Sequence, residues 1–487
     1  MISFNQIPSN IRVPLFYSEY DNSNANQGLT GQVFKTLMIG QKTSGGTAVA
    51  DVPVQIFSKD QAKGLFGAGS MLHRMAEKYF KNNLSVELWC IPSADNGAGV
   101  AATGTATISG PATKAGTLSL YIGGRLVQVA IAIGDIDDDI AADIAAAVNA
   151  DTDLPVTAGV ASEVVTFTAK NKGINGNKIA LQMNLQSDQA TPAGVGVVLV
   201  QMASGATNPV LTTMIAAMGD VQYNLLINPY TDATSLTALE AELASRAGPT
   251  RQIDGNMIAV ANDTVGNLTT LGNSRNSQFS TIFGAYKFPN PPEEVAAAAA
   301  GQIAGSAQID VAMPFQTLQL VDIMAPAIAD RFQWNERNTL LYDGISTLKV
   351  GPGGVVQIEQ AITTYQLNSY GVADPSYLLL NVPLMLSYLR YTQMAVMTSK
   401  YGRCKLAKDG TRFGPGQKVI TPKTAKAEYY SIFTQWELDG KVEGFEQFKK
   451  DLIVEINATN PNRLDVLMAP DLMNQLTVMG VKIAYLL

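Results

Sequence analysis

Histidine, cysteine and clustered carboxylates are the residue types that would carry chemistry in a chain of 487 residues, and this one offers few of them. The sole histidine is His73. On a helix starting after Ser70 it falls with Glu77 and Lys81. The apolar face is Leu72, Met75, Ala76, Tyr79 and Phe80, so His73 reads as a solvated side chain. Cys90 and Cys404 lie far apart, with no metal-ligand spacing and no disulfide framework, which suits a reducing compartment. One histidine supports neither a His-based zinc site nor a Cys–His dyad, and no G-x-S-x-G elbow is present for a serine hydrolase.

Two further patterns have plain structural readings. Gly64-Leu-Phe-Gly-Ala-Gly-Ser70 places glycines before a helix, but it lacks the dinucleotide fingerprint and the Lys-Ser/Thr of a phosphate loop. A tight turn followed by an N-cap accounts for it. Asp135, Asp137, Asp138 and Asp139 lack the spacing of a calcium loop. They precede an Ala-rich helix, where carboxylates favour the dipole. No cofactor and no metal is expected.

Arg390, Lys400, Arg403, Lys405, Lys408, Arg412, Lys418, Lys423 and Lys426 are opposed only by Asp409. The run is a solvated face or a contact for an acidic protein partner. The chain as a whole carries a net charge of −7, and only Tyr401 and Phe413 interleave the run, so no nucleic acid is expected. The charged fraction is 15% against a usual level of about 25%. A chain covered by partners and a large Ala- and Gly-rich fold both fit that figure. MISFNQIPSN has no leader pattern, and no run of about 18 apolar residues occurs, so no membrane insertion is expected.

The elements that must hold these residues alternate. Short apolar strands at residues 36–40 and 85–91 flank the helix after Ser70, a βαβ unit. The alternation resumes with strands at 223–228, 256–260 and 278–286, helices at 235–246 and 291–307, and a strand at 345–350. Between the two parts, residues 94–207 are rich in Ala, Gly, Thr and Val, with a hairpin turn at Gly123-Gly124. This segment looks dispensable. The expected fold class is α/β: a doubly wound core interrupted by a small α+β insertion domain, then an α+β C-terminal domain with extended arms at both ends. The expected boundaries are 1–30 for the N-terminal arm, 31–93 and 208–350 for the core, 94–207 for the insertion, 351–474 for the C-terminal domain and 475–487 for the last arm. In that C-terminal domain a strand at 356–361 precedes a helix starting at Asp374-Pro375-Ser376 and reaching Tyr401.

Both arms are apolar. The first carries Ile2, Phe4, Ile7, Val13 and Leu15, interrupted by Pro8 and Pro14. The last reads as a strand with Leu476, Val478, Val481, Ile483 and Tyr485. Unpaired apolar strands are an aggregation hazard in a monomer and a means of joining a neighbour's sheet. Pairing within the same subunit is the alternative.

Ile362-Thr-Thr-Tyr365, Asn368, Gly371, Asp374 and Ser376-Tyr377 resemble the signature of contractile-tail sheath proteins, as does Asn338-Thr-Leu-Leu-Tyr-Asp-Gly-Ile-Ser-Thr347. Pro314-Phe-Gln-Thr-Leu-Gln-Leu320, after the helix that follows Pro291, adds to it. The Mu-like phage branch is the nearest resemblance, through Ser3-Phe-Asn-Gln-Ile-Pro-Ser9, Lys405-Leu-Ala-Lys-Asp-Gly-Thr-Arg-Phe-Gly414, Phe445-Glu-Gln-Phe-Lys-Lys-Asp-Leu-Ile-Val-Glu455, Arg463-Leu-Asp-Val-Leu467 and Asp471-Leu-Met-Asn-Gln475. Gln360 departs from the family, which usually has arginine there.

The resemblance implies a structural subunit of a phage tail, not an enzyme. It would polymerise with itself as hexameric rings stacked helically around a tube, linked by arms that pair with neighbours' strands. On a baseplate trigger the sheath would shorten and drive the tube through the host envelope. Implied partners are the tail tube protein and the baseplate and tail terminator proteins. The implied place is the virion tail, assembled in the host cytoplasm. The basic run (Arg390, Lys400, Arg403, Lys405, Lys408, Arg412) would face the tube or a neighbour, with the insertion outside. The rival readings are an α/β enzyme with an unrecognised site and a monomeric binding module.

Overall fold

The computed structural model describes Ser18 and residues 32–486, so the expected arm residues Ile2, Phe4, Ile7, Val13 and Leu15 lie outside the described residues. The chain divides into two units, one of residues 33–387 with 474–487, the other containing residues 388–473.

Strands such as Lys35–Gln41 and Ser280–Ala285 are buried nearly end to end, their polar Thr36, Gln41, Ser280 and Thr281 included. That pattern belongs to the middle of a parallel sheet covered on both faces. The sheet has eight strands, in the order Val356–Gln360, Ser346–Val350, Ser280–Ala285, Asn256–Asn262, Leu225–Ile227, Lys35–Gln41, Glu87–Ser93 and Val54–Ile56. Neighbours run parallel except at the two edges, which pair antiparallel. The sequence reading assigns Val356–Gln360 to the C-terminal domain. It is an edge strand of this sheet, because the Gly351–Gly354 turn folds it back onto Ser346–Val350. Its outer side is occupied as well: Thr317 N donates to Ile358 O at 2.8 Å, and Ile358 N donates to Leu318 O at 2.9 Å. An occupied edge recruits no foreign strand.

Ser70 caps the helix Met71–Asn82 by accepting from His73 N. This helix packs on the Ala-rich helix Pro292–Ile309. Ala296 to Ala300 are wholly buried there. Small residues let the two backbones approach: a Cβ on Gly301 would stand 3.2 Å from Tyr79 O.

Residues 101–203 form a body with its own core, around Leu118, Ile144 and Phe167. A four-stranded sheet (Gly196–Ala203, Ala101–Ser109, Val164–Lys172, Val156–Ala161) faces a three-stranded one (Arg125–Ile131, Gly116–Ile122, Leu181–Met183), with the helix Asp137–Ala150 against them. Asp137, Asp138 and Asp139 occupy that helix's first turn. Gly123 and Gly124 take φ of 56° and 77°, the left-handed pair a two-residue hairpin turn requires.

The chain passes into its second unit along the helix Asn381–Tyr401. The expected start at Pro375 is overturned. Asp374 Oδ1 accepts from Ser376 N, which closes a local turn, and Ile362 then bridges Leu379 before the helix begins. In the second unit the helix Pro422–Leu438 buries Phe433 and Trp436 beside Phe448, and Trp436 Nε1 donates to Thr392 Oγ1 at 2.9 Å. The hairpin Ile453–Ile456 with Leu464–Leu467 follows.

His73 is a second correction. It is 3% exposed, with Nδ1 accepting from Gly69 N at 3.1 Å. The polar face of its helix is covered by an ion network instead of water. Arg74 bonds Glu293 at 3.0 Å and also Glu294, all three nearly inaccessible. Lys78 and Lys81 share Asp322 at 2.6 and 2.7 Å, and Glu77 pairs with Arg125 of the inserted body. Burial raises the Glu293 carboxyl above the usual range, against the pull of Arg74, and its Oε2 has no hydrogen-bond partner among the described residues.

Arg74→Ala removes the cation bonded to both buried carboxylates, leaving Glu294 only Lys78 at 3.8 Å and Glu293 none among the described residues. It should cost about 3–5 kcal/mol, read as a lower denaturant midpoint of the unassembled chain. Glu293 has the opposite sign. Its folded pKa lies above its unfolded one, so its ionisation opposes folding at neutral pH and not in acid. Glu293→Gln should therefore gain stability relative to the parent between about pH 4 and pH 7. A pH-independent difference in urea midpoints would refute that assignment.

Candidate functional site

In a parallel sheet a ligand crevice opens at the carboxyl ends of the strands, where the chain changes its direction of travel. Here that point lies between Lys35–Gln41 and Leu225–Ile227. The strand ends supply Gln41, Ser93 and Asn228-Pro229-Tyr230, a polar group that an enzyme could use. Residues 171–178 of the inserted body lie across them. Asn171 accepts from Met71 N at 2.9 Å and donates to Lys42 O and Asp95, both at 3.1 Å. Gln41 Nε2 donates to Asp95 and to Lys172 O, both at 2.6 Å. Asn175 donates to Pro229 O at 2.8 Å, and Lys178 to Asn262 O at 2.9 Å. What remains is a cavity of about 10 Å³ lined by Gln41, Arg74, Asn171 and Glu293. That is room for one water molecule, not for a substrate. No local pattern in the sequence marks Asn171, Asn175 or Lys178 as partners of strands some 50 to 130 residues away.

The other candidate groups are equally quiet. Cys90 is fully buried, and burial alone pushes its thiol well up; Cys404 is free and half-buried. Among the described residues no group of three His, Cys, Asp or Glu side chains could hold a metal, and no helix is long and apolar enough to cross a membrane.

The basic run lies in the second unit. Arg403, Lys405, Lys408, Arg412 and Lys418 are exposed, and Arg390 is half-buried. Lys400 pairs with Glu428 at 2.6 Å. Glu428 also accepts from the Tyr401 hydroxyl at 2.8 Å, and burial together with this carboxylate pushes Tyr401 up to about 12. Lys405 Nζ donates to Gln417 at 2.8 Å. Asp409, the one acid in the run, is taken up locally: it accepts from Lys423 N at the start of the helix Pro422–Leu438.

The last arm is the most unusual feature. Residues 474–486 carry no helix and no strand, so the expected strand at 476–487 does not form within the chain. A strand needs a ladder of partners, and none pairs with it among the described residues. Its root is fixed, because Gln316 Nε2 donates to Leu476 O at 3.0 Å and Gln475 Nε2 to Ala312 O at 3.3 Å. Beyond the root Val478, Val481, Ile483 and Tyr485 are 74–84% exposed, and Leu476 at the root is 62% exposed. In the other unit, Ile453–Ile456 and Leu464–Leu467 pair, among the described residues, only with each other, leaving Ile453 and Leu467 half or more exposed. Gln360, at the end of its edge strand, opens into a groove of about 830 Å³ through which Thr477 and Val478 pass. The ion pair at that strand end is Arg337 with Glu359, at 2.7 Å.

The chain matches the phage tail sheath protein central domain over residues 204–364 and the phage tail sheath C-terminal domain over residues 372–484. It is 42% identical over 486 residues to the Mu-like prophage FluMu tail sheath protein of Haemophilus influenzae, covering 100% of each chain. Two solved structures are similar in fold alone. One is a sheath tail protein of Listeria innocua, at 11% identity with a TM-score of 0.50, covering 92% of this chain and 94% of that one. The other is the sheath complex of an extracellular contractile injection system in its contracted state, at 8% identity with a TM-score of 0.50, covering 98% of each. These are structural proteins rather than enzymes. The chain belongs to the phage tail sheath family, on its Mu-like branch.

Proposed function

We propose that this tail sheath subunit polymerises as stacked hexameric rings around a tail tube, and that the polymer shortens to drive the tube through the host envelope. The observation that carries this reading is the exposed, unpaired apolar arm at 476–486, together with a two-stranded ribbon at 453–467 whose outer edges are unpaired among the described residues. An isolated two-stranded ribbon is marginal in water and gains from added strands. Residues 476, 478, 481, 483 and 485 of one copy lie down beside that ribbon in another, and the N-terminal residues Ile2, Phe4, Ile7, Val13 and Leu15 serve as a second link. Such a contact joins unlike surfaces, so it builds a ring where the rotation closes and a helical filament where it does not. Contraction then needs no chemical fuel, only two packings of the same subunits with different free energies.

The other partners follow from the same reading. The exposed Arg403, Lys405, Lys408 and Arg412, with Arg390 and Lys400, face the tube or a neighbour, and the inserted body lies outside. Baseplate and tail terminator proteins hold the two ends. The subunit is a component of the virion tail, assembled in the host cytoplasm.

A chain ending at Gln475 should fold normally by circular dichroism yet give no long sheaths by electron microscopy. Normal sheaths from that chain would exclude strand exchange by this arm. The triple variant Arg403→Glu, Lys408→Glu, Arg412→Glu changes only exposed charges. It should keep its melting temperature within about 2 °C, as surface substitutions do, and lose co-assembly with purified tubes. Unchanged co-assembly would remove the basic run from the tube interface.

A further inference from the structure

The groove beside Gln360 holds the root of the arm, Thr477 and Val478, and the rest of its lining is distinctive. The helix Trp334–Tyr342 presents Trp334, Asn338, Leu341 and Tyr342 to it, at i, i+4, i+7 and i+8. Trp334 is 72% exposed and Tyr342 79%. Gln360 and Gln366 add neutral amides. The nearby carboxylates are engaged already: Glu359 bonds Arg337, and Asp374 accepts from the Tyr365 hydroxyl at 2.9 Å. The groove therefore offers aromatic faces, amides and the Lys349 ammonium, without free acid. Exposed Trp and Tyr in a polar frame are what protein interfaces concentrate at their centres.

The occupant follows from the sheet. The groove stands at one edge, by Val356–Gln360. The opposite edge, Val54–Ile56, carries its own exposed apolar group: Val49 and Phe57 are each 70% exposed, and Val52 is 50%. Eight strands at roughly 4.8 Å separate the two patches by about 34 Å. Two unlike apolar patches on opposite edges of one sheet are what a head-to-tail contact between identical subunits requires.

We propose that this groove receives the 49–57 edge of a second copy of this chain, with Phe57 seated between Trp334 and Tyr342. The proposal rests on the polymeric reading above but not on the arms. It continues the surface the arm root already occupies, since Thr477 and Val478 line the same groove. Gln360 takes part as an uncharged neighbour to an apolar guest, a place where an unpaired arginine would be costly to bury.

The test uses the full chain with a photoreactive benzoylphenylalanine in place of Trp334. Irradiated polymers should yield chain-to-chain adducts whose attached peptide includes residues 49–57, and dispersed monomers should yield none. Polymers without such adducts, or adducts mapping elsewhere, overturn the proposal. Phe57→Asp, at an exposed position, should leave the melting curve unchanged and raise the concentration needed to polymerise by about tenfold or more. An unchanged threshold also overturns it. If the chain ending at Gln475 still polymerises and still gives the 49–57 adduct, strand exchange fails while the groove contact stands. If the full chain does not polymerise at all, both readings fail.

Discussion

The constraint on which the rest depends is that polar groups at the ends of buried strands and helices must have partners. Asn171 shows how it is met. One side chain caps Met71 N, bonds Lys42 O and reaches Asp95, joining a helix start, a strand end and the inserted body. Lys172, Asn175 and Lys178 continue the same seam across three strand ends. A crevice closed by hydrogen bonds to protein cannot exchange them for a substrate without exposing each donor and acceptor to loss, at about 1–3 kcal/mol per buried group. The fold has thus closed the place where a parallel sheet of this kind can open a ligand crevice, and left its unsatisfied surfaces on the outside.

Those unsatisfied surfaces are apolar and lie at ends and edges: the arm beyond Leu476, the ribbon at 453–467, the helix carrying Trp334 and the edge beside Phe57. A chain that satisfied them internally would have no reason to associate. The low proportion of charge fits this division, since surfaces that meet other subunits are depleted of Lys, Glu and Asp.

Much of this was legible in the residues. Alternating apolar strands and helices gave the sheet, Gly123-Gly124 gave the hairpin, and Ser70 gave a helix cap where the structure has one. His73 was not legible, because its helix has a polar face that local periodicity assigns to water. That face is covered by Glu293, Glu294, Asp322 and Arg125, which come from segments 48 to 244 residues away. The start at Pro375 misled for a related reason: proline fits the first turn of a helix, but Asp374 used it to close a separate turn, and the bridge from Ile362 to Leu379 took the backbone that a longer helix would have needed. Nor could the sequence say how 94–207 meets the core, because Asn171, Asn175 and Lys178 bond strand ends that only the fold brings near.

The clamp at the arm root has a mechanical consequence. Gln316 holds Leu476 to the body and Val478 lines the groove, so the free leash begins near Met479, and eight of its residues, 479–486, are described. Fully stretched, eight residues span about 27 Å. Whatever grips Leu486 can shift by only a few nanometres before the chain is taut. A sheath joined this way would have a built-in stop: subunits can slide and turn against each other up to the length of the leash, and beyond it the load falls on two side-chain amides, Gln316 and Gln475.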